Sequence, residues 1–435
     1  MQVLFIHQNF PGQYPHLAEA LRDRGDQVLA IGGPTAVALP GVPLHRYDPM
    51  ARGEVPTCHH WAADFQVKLL RAEAVALLLE KLISQGLRPD LVVGHPGWGE
   101  LLAVKDLLPG VPVLHHVEFI YQMEGGDVDF DPEFSRTGWS DRTRLRLKRA
   151  PQLLAFHDLD WGMAPTAWQA STAPAEFRER ISVIHEGIDT QRIGPRKDSS
   201  ISLQKAGLSF EAGDEVISFV ARNLEPYRGF HVFMRMLPQL QKLRPKAHVV
   251  IVGAEGVSYG SPPPRGVSWK KVLLQELAGQ LDLRRIHFVG QVPHAVLHDL
   301  FRVAACHVYL TYPFVLSWSL LEAMACGAVV IGSATPPVQE VIRAGENGLL
   351  VDFFDLEAIA QQIAEVLTDP AAYRSLGETA RRDVVAGYDL KTVCLPKQLA
   401  LVDRLAREAA DQAVSTKSLK VRDVEAPSRA TSIGL

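Results

Sequence analysis

Short apolar runs of four to six residues recur along the chain, and most are followed by a stretch with helical periodicity. This alternation predicts parallel sheets, because a helix must carry the chain back before the next strand can run the same way. In the first half the strands read at residues 3–7, 27–31, 91–94, 111–115, 161–165 and 181–184, with helices at 14–24, 65–85 and 141–157. In the second half they read at 216–220, 249–253, 286–290, 305–310 and 328–331, with helices at 229–242, 293–303, 355–368, 370–387 and 391–412. Around 191–213 the periodicity fades into Gly, Pro, Lys and Ser, which reads as a linker. With 435 residues the chain has room for two domains. The expected fold class is α/β, with two Rossmann-like domains facing a cleft. The expected divisions are a first domain at 1–190, a second at 191–390, a terminal helix at 391–412 and a polar, disordered tail at 413–435.

Composition narrows the partners. A net charge of −4 argues against nucleic acid, whose binders carry a basic balance. Cys58, Cys306, Cys326 and Cys394 lie far apart with no metal or redox spacing, which fits a reducing, cytoplasmic compartment. No basic region precedes the apolar start, so a signal peptide is not expected. No run of about 18 apolar residues occurs, so no membrane span is expected.

The stretch 309–333 carries the most chemistry. It reads strand, loop, short helix, Gly stop, strand. Pro313 closes the strand, since proline lacks the N–H that a ladder needs. Ser317 can cap a helix reaching Met324, and Gly327 suits its C-terminal end. Amides at such a helix start, just beyond a parallel strand, form an anion site. Glu322 follows within about a turn and a half and can accept from a sugar hydroxyl. Phosphate at the amides of Ser317, Trp318 and Ser319 with Glu322 on a ribose is what a nucleotide-sugar site needs.

This stretch resembles the donor signature of retaining glycosyltransferases of family 4, enzymes of the GT-B fold and of bacterial polysaccharide and glycoconjugate synthesis. The family carries two glutamates eight positions apart before an ending like Leu320-Leu321-Glu322-Ala323-Met324-Ala325-Cys326-Gly327. The second matches Glu322, and the first falls on Phe314. The resemblance implies that Glu322 meets the ribose and that Phe314 walls the sugar pocket in place of an acid. It also implies that the terminal helix crosses back to the first domain.

Three further motifs follow strand ends. Gly12 and Gln13 lie in a turn after the first strand, where backbone can approach a diphosphate; the pattern is not a dinucleotide fingerprint. Arg222 and Arg228 flank a turn containing Pro226 and can neutralise a leaving diphosphate without a metal. They match the family's Arg and Lys positions, so no cofactor is expected and the nucleotide-sugar is substrate. Glu118 ends the strand where many family members have a histidine against the donor sugar, so it is expected to act at the reacting carbon. Trp98, in a Gly-rich loop, can stack on an acceptor ring, and Asp127 lies in an Asp-rich loop suited to polar acceptor contacts. The spacing of Asp127, Asp129 and Asp131 does not complete a calcium loop. The basic stretch 136–149 can meet an anionic membrane or a lipid diphosphate.

The function these residues imply is transfer of a sugar from a nucleotide-sugar to a hydroxyl of a glycan or lipid-linked saccharide, with retention. The alternatives are an epimerase of the same fold, marked by an acid/base pair and no acceptor, and a non-catalytic binding protein, for which the missing acid at 314 speaks.

Overall fold

The computed structural model describes residues 1–50, 57–203, 207–263 and 266–424, with side chains of 413–424 left aside. Seven parallel strands form the first sheet: Gln2–Ile6 (β1), Gln27–Gly32 (β2), Leu44–Arg46 (β3), Leu91–Gly94 (β4), Val113–His116 (β5), Trp161–Ala164 (β6) and Ile181–Val183 (β7). Their order is β3-β2-β1-β4-β5-β6-β7. Val3, Leu4, Phe5 and Ile6 are all fully buried, because helices cover both faces and the strand reads as a continuous apolar run.

The linker region is partly structured. Ser200–Leu203 (β8) and Leu208–Glu211 (β9) form an antiparallel hairpin whose Ile201, Leu203 and Phe210 are buried. Six further parallel strands, Val216–Asn223 (β10), His248–Ala254 (β11), Ile286–Gly290 (β12), Cys306–Tyr309 (β13), Val330–Ser333 (β14) and Leu349–Val351 (β15), make the second sheet. Their order is β12-β11-β10-β13-β14-β15. The edge strands β3 and β15, three residues each, carry too few residues to show a period and are absent from the sequence reading.

The chain crosses between the sheets twice, and the crossings lie side by side. Ile188 N–H donates to the Tyr388 carbonyl at 2.8 Å, and Leu390 N–H donates to the Ile188 carbonyl at 2.9 Å. Gly187 has φ +98, and a Cβ there would meet Leu390 at 2.8 Å, so only glycine fits. Beyond the second crossing the helix Leu395–Val424 returns to the first domain. Its Leu401, Val402 and Leu405 join the core beneath β1, and Arg24 pairs with Asp403 at 2.9 Å. The helix extends past the expected end at 412, and residues 425–435 of the expected tail lie outside the described residues. Among the described residues no helix is long and apolar enough to cross a membrane.

Candidate functional site

In each sheet the strands run one way, so their following loops gather along one edge. The two edges meet. Trp318, at the start of the helix Trp318–Ala325, points its indole N–H at Glu186 beyond β7, 3.3 Å away. Phe119 beyond β5 packs against Phe314 beyond β13, with ring centroids 4.8 Å apart. Glu340 of the second domain accepts from the Ala167 and Trp168 amides, both at 2.7 Å.

Histidines at three strand ends share one geometry. The Nδ1 of His7, His95 and His185 accepts from the backbone N–H two residues on, at 3.1, 3.0 and 2.9 Å. That bond leaves the proton of each neutral ring on Nε2. His95 therefore donates to Glu118 Oε2 at 3.2 Å, and Gln13 Nε2 donates to Glu118 Oε1 at 3.3 Å. His185 and His116 place Nε2 3.4 and 3.3 Å from the two oxygens of Glu186. Burial pushes the His7 and His115 imidazoles down to about 3 and lowers His95 and His185. Burial, the largest single influence, would raise Glu118, but the His95 hydrogen bond together with the His95 and His116 electrostatics holds the carboxylate below its ordinary range. Glu186 falls to about 2 against the same burial, drawn down by His185 and His116. Glu118 and Glu186 are thus held as carboxylates beside the lowered His95 and His185 imidazoles.

The predicted residues divide. Gly12 sits at φ +52, where a Cβ would come within 2.6 Å of the His7 ring. Gln13, Glu118 and His95 form one hydrogen-bonded group, and Trp98 lies against His95, the rings tilted at 30° with centroids 5.4 Å apart. Ser317 caps the helix by accepting from Ser319 N–H, and Glu322 is buried on that helix. Arg222 and Arg228 differ in setting. Arg222 is exposed, whereas Arg228 is buried and donates from Nη1 to Thr311 Oγ1 at 3.0 Å and the Val315 carbonyl at 2.8 Å.

Two residues correct the sequence reading. Phe314 is 2% exposed, boxed by Phe119, Tyr121, Tyr227 and Tyr259, with the Arg228 guanidinium 5.6 Å from its ring centre. Where an acid was expected, a phenyl ring packs between domains and faces the arginine; it offers no open wall. Asp127 is also buried, with one oxygen accepting from Gln122 N–H and the other from the Tyr227 hydroxyl across the cleft, both at 2.9 Å. Its oxygens are spent on domain contact, and burial raises it to about 6. Within the basic stretch Arg136, Arg144 and Arg146 are exposed, Arg142 pairs with Glu124, and Lys148 lies 3.5 Å over the Tyr121 ring.

The sequence reading missed His7, His95, His116, His185 and Glu186. Their one local signal is position, since each ends or directly follows a strand. Glu100 was missed as well. Buried beside the His95 loop, it accepts from Gln8 N–H at 3.0 Å and the Tyr47 hydroxyl at 2.6 Å, tying the turn after β1 to the next loop. Desolvation raises it to about 7 from 4.5. A raised carboxyl contributes stability that is complete below pH 4.5 and lost as pH rises through 7, about 3 kcal/mol by the shift. Glu100→Gln keeps both hydrogen bonds, because the tyrosine hydroxyl can turn and accept. The variant should therefore melt above the parent at pH 8 and no higher at pH 4; equal melting temperatures at both pH values would refute the assignment.

Residues 24–193 match the family model described as glycosyl transferase family 4 group, and residues 202–383 match glycosyl transferases group 1. The chain is 27% identical over 201 residues to D-inositol 3-phosphate glycosyltransferase of Corynebacterium jeikeium, 46% of each chain. It is 25% identical over 266 residues to the GDP-mannose-dependent alpha-(1-6)-phosphatidylinositol monomannoside mannosyltransferase of Mycolicibacterium smegmatis, covering 54% of this chain and 65% of that one. The chain thus spans about half the length of the first of these curated relatives. Sucrose-phosphate synthase of Thermosynechococcus elongatus shares the fold at TM-score 0.68 and 21% identity, over 94% of this chain and 100% of that one. HepE of Anabaena, solved with UDP-glucose, shares it at TM-score 0.59 and 17% identity, over 95% and 100%. Each half of the chain thus matches a glycosyl transferase family model, and the whole shares the two-sheet architecture of the GT-B fold.

Proposed function

We propose that the protein transfers a sugar from a nucleoside-diphosphate donor to a hydroxyl of a glycan or lipid-linked saccharide, with retention of configuration as in family 4. The observation that carries this reading is the Trp318 helix start meeting Glu186 across the cleft, with Glu118 held by His95 beyond β5. The positive dipole end of that helix suits a diphosphate. Gly12 lets the opposite turn come close to it. Arg228, and Arg222 at the end of β10, supply positive charge as the leaving group develops its own negative charge, with no metal required. Glu322 accepts from ribose hydroxyls. Glu118, held by His95 and Gln13, meets the sugar, and Trp98 beside it meets the acceptor. Glycosyl transferase relatives and the UDP-glucose complex of HepE support the donor class.

Calorimetry with UDP, GDP and ADP tests the donor half. Glu322→Ala should weaken the preferred nucleotide about tenfold to a hundredfold, the worth of a charged hydrogen bond, and Glu322→Gln less. Glu118→Ala should lower turnover by a similar factor while leaving nucleotide affinity near the parent value. Unchanged affinity in Glu322→Ala and unchanged turnover in Glu118→Ala would together remove the reading.

The acceptor side favours a membrane-borne substrate. Arg136, Arg144 and Arg146 are exposed near Trp139, itself 75% exposed. Each surface arginine near an anionic bilayer is worth about 1 kcal/mol. Sedimentation with phosphatidylglycerol vesicles should carry the protein down at low salt and release it on Arg144→Glu with Arg146→Glu; equal recovery of both proteins at low salt argues for a soluble acceptor.

A further inference from the structure

Glu322 has neighbours that nucleotide binding does not require. On the helix His294–Val303, His294 and His298 stand one turn apart on one face. His298 Nε2 lies 3.7 Å and His294 Nδ1 3.9 Å from Glu322 Oε1. The three ligand atoms all lie within 4.8 Å of one another. His298 Nε2 is buried and has no hydrogen-bond partner. A buried nitrogen left unpaired costs about 1–3 kcal/mol, so a site that satisfies it is favoured.

We propose that His294, His298 and Glu322 form a site for a divalent transition metal of the zinc class, and that the bound metal takes the carboxylate the nucleotide needs. Two imidazoles and one carboxylate select zinc, nickel or copper over magnesium or calcium, which prefer oxygen ligands. Two histidines at this helical spacing face one ion, as in helical zinc motifs. Tetrahedral zinc, with bonds of about 2.0–2.2 Å, sets its ligand atoms roughly 3.3–3.5 Å apart. The two distances to Glu322 need a closure of about half an ångström, and the histidine pair, within 4.8 Å, up to about 1.5 Å. His294 supplies it, since it opens its helix and its side chain is 77% exposed, free to turn inward. Glu322 and His298, at 9% and 13%, are held in place. The fourth position is left for water. The competition with nucleotide rests on the function proposed above; the metal site does not.

The test is a zinc titration of the full chain by calorimetry without nucleotide, with cobalt(II) absorption reporting tetrahedral ligation. One equivalent should bind saturably, magnesium should not compete, and His294→Ala and His298→Ala should each weaken zinc at least about tenfold. His294 is exposed, so its variant tests the site even if His298→Ala fails to fold. Absence of saturable binding, or unchanged affinity in the His294→Ala variant, overturns the site. A second arm measures nucleoside diphosphate affinity with and without saturating zinc. The parent should lose affinity at least about tenfold more than His294→Ala, a difference from which chelation by free nucleotide cancels. If zinc binds with no such difference while Glu322→Ala still weakens the nucleotide, the competition is wrong. If Glu322→Ala also leaves nucleotide affinity unchanged, the nucleotide reading has failed and the metal site stands.

Discussion

Arg228→Ala should lower turnover by about 10²- to 10³-fold, the range for removing one preorganised charge-assisted donor. It should also lower the melting temperature. The guanidinium is buried and serves Thr311 and the Val315 carbonyl, which Ala would leave unpaired. Each orphaned acceptor costs about 1–3 kcal/mol, and the contacts with Phe314 and Tyr259 vanish as well. Arg222→Ala separates the two effects. Its side chain is exposed and makes no hydrogen bond or ion pair to a described residue, so the variant should melt with the parent while losing turnover at least about tenfold. Arg228→Lys should restore charge but not the fork, and recover only part of the activity. Steady-state kinetics and melting curves on the three variants decide the matter: an Arg228→Ala protein that turns over and melts like the parent would end the proposed role of Arg228.

The second large effect is structural and lies across the cleft. The loop after β5 crosses to the second domain, where Asp131 Oδ2 accepts from the Tyr312 hydroxyl at 2.5 Å and lies 2.9 Å from His231 Nε2. Burial alone would raise the Asp131 carboxyl, but its bonds to His231 and Tyr312 hold it below its usual range. Beside it, Glu133 bridges Arg235 through both oxygens, and Phe130 sits against Tyr312, Phe353 and Phe354. Asp131→Ala strands two buried donors, at about 1–3 kcal/mol each. We expect a melting temperature lower by several degrees and faster proteolysis within residues 119–134, while Tyr312→Phe, which removes one donor with its need, costs much less. Thermal melts and timed digestion check this, and an Asp131→Ala variant as stable and as resistant as the parent would show that the loop does not hold the domains.

The alternation of strand and helix was legible because it depends on contacts within a few residues. Period, the proline at 313 and the glycine at 327 mark their own elements, and the Ser317 cap lies where the hydroxyl and the free amides coincide. Short edges defeated the same logic. Leu44–Arg46 carries His45 and Arg46 and shows no buried run, so its pairing with β2 is not written in its own residues. The hairpin at Ser200–Leu203 and Leu208–Glu211 buries alternate residues over spans too brief to stand out from a linker.

The sequence alone determined which residue types follow each strand, and so the presence of Glu118, Glu322, Arg222 and Arg228 at or beyond strand ends. Which of them meet was a tertiary decision. His95 reaches Glu118 because β4 lies beside β5, and Glu186 reaches Trp318 because the sheet edges face each other over a separation of 132 residues. Phe314 reads as a missing acid until the box of Phe119, Tyr121, Tyr227 and Tyr259 closes around it, and Asp127 reads as an acceptor contact until the Tyr227 hydroxyl takes its oxygen. Local period is encoded in neighbours and survives in the chain alone. Burial, pKa and the pairing of charges depend on what packs from far away, and those arise only when strand order and domain contact are in place.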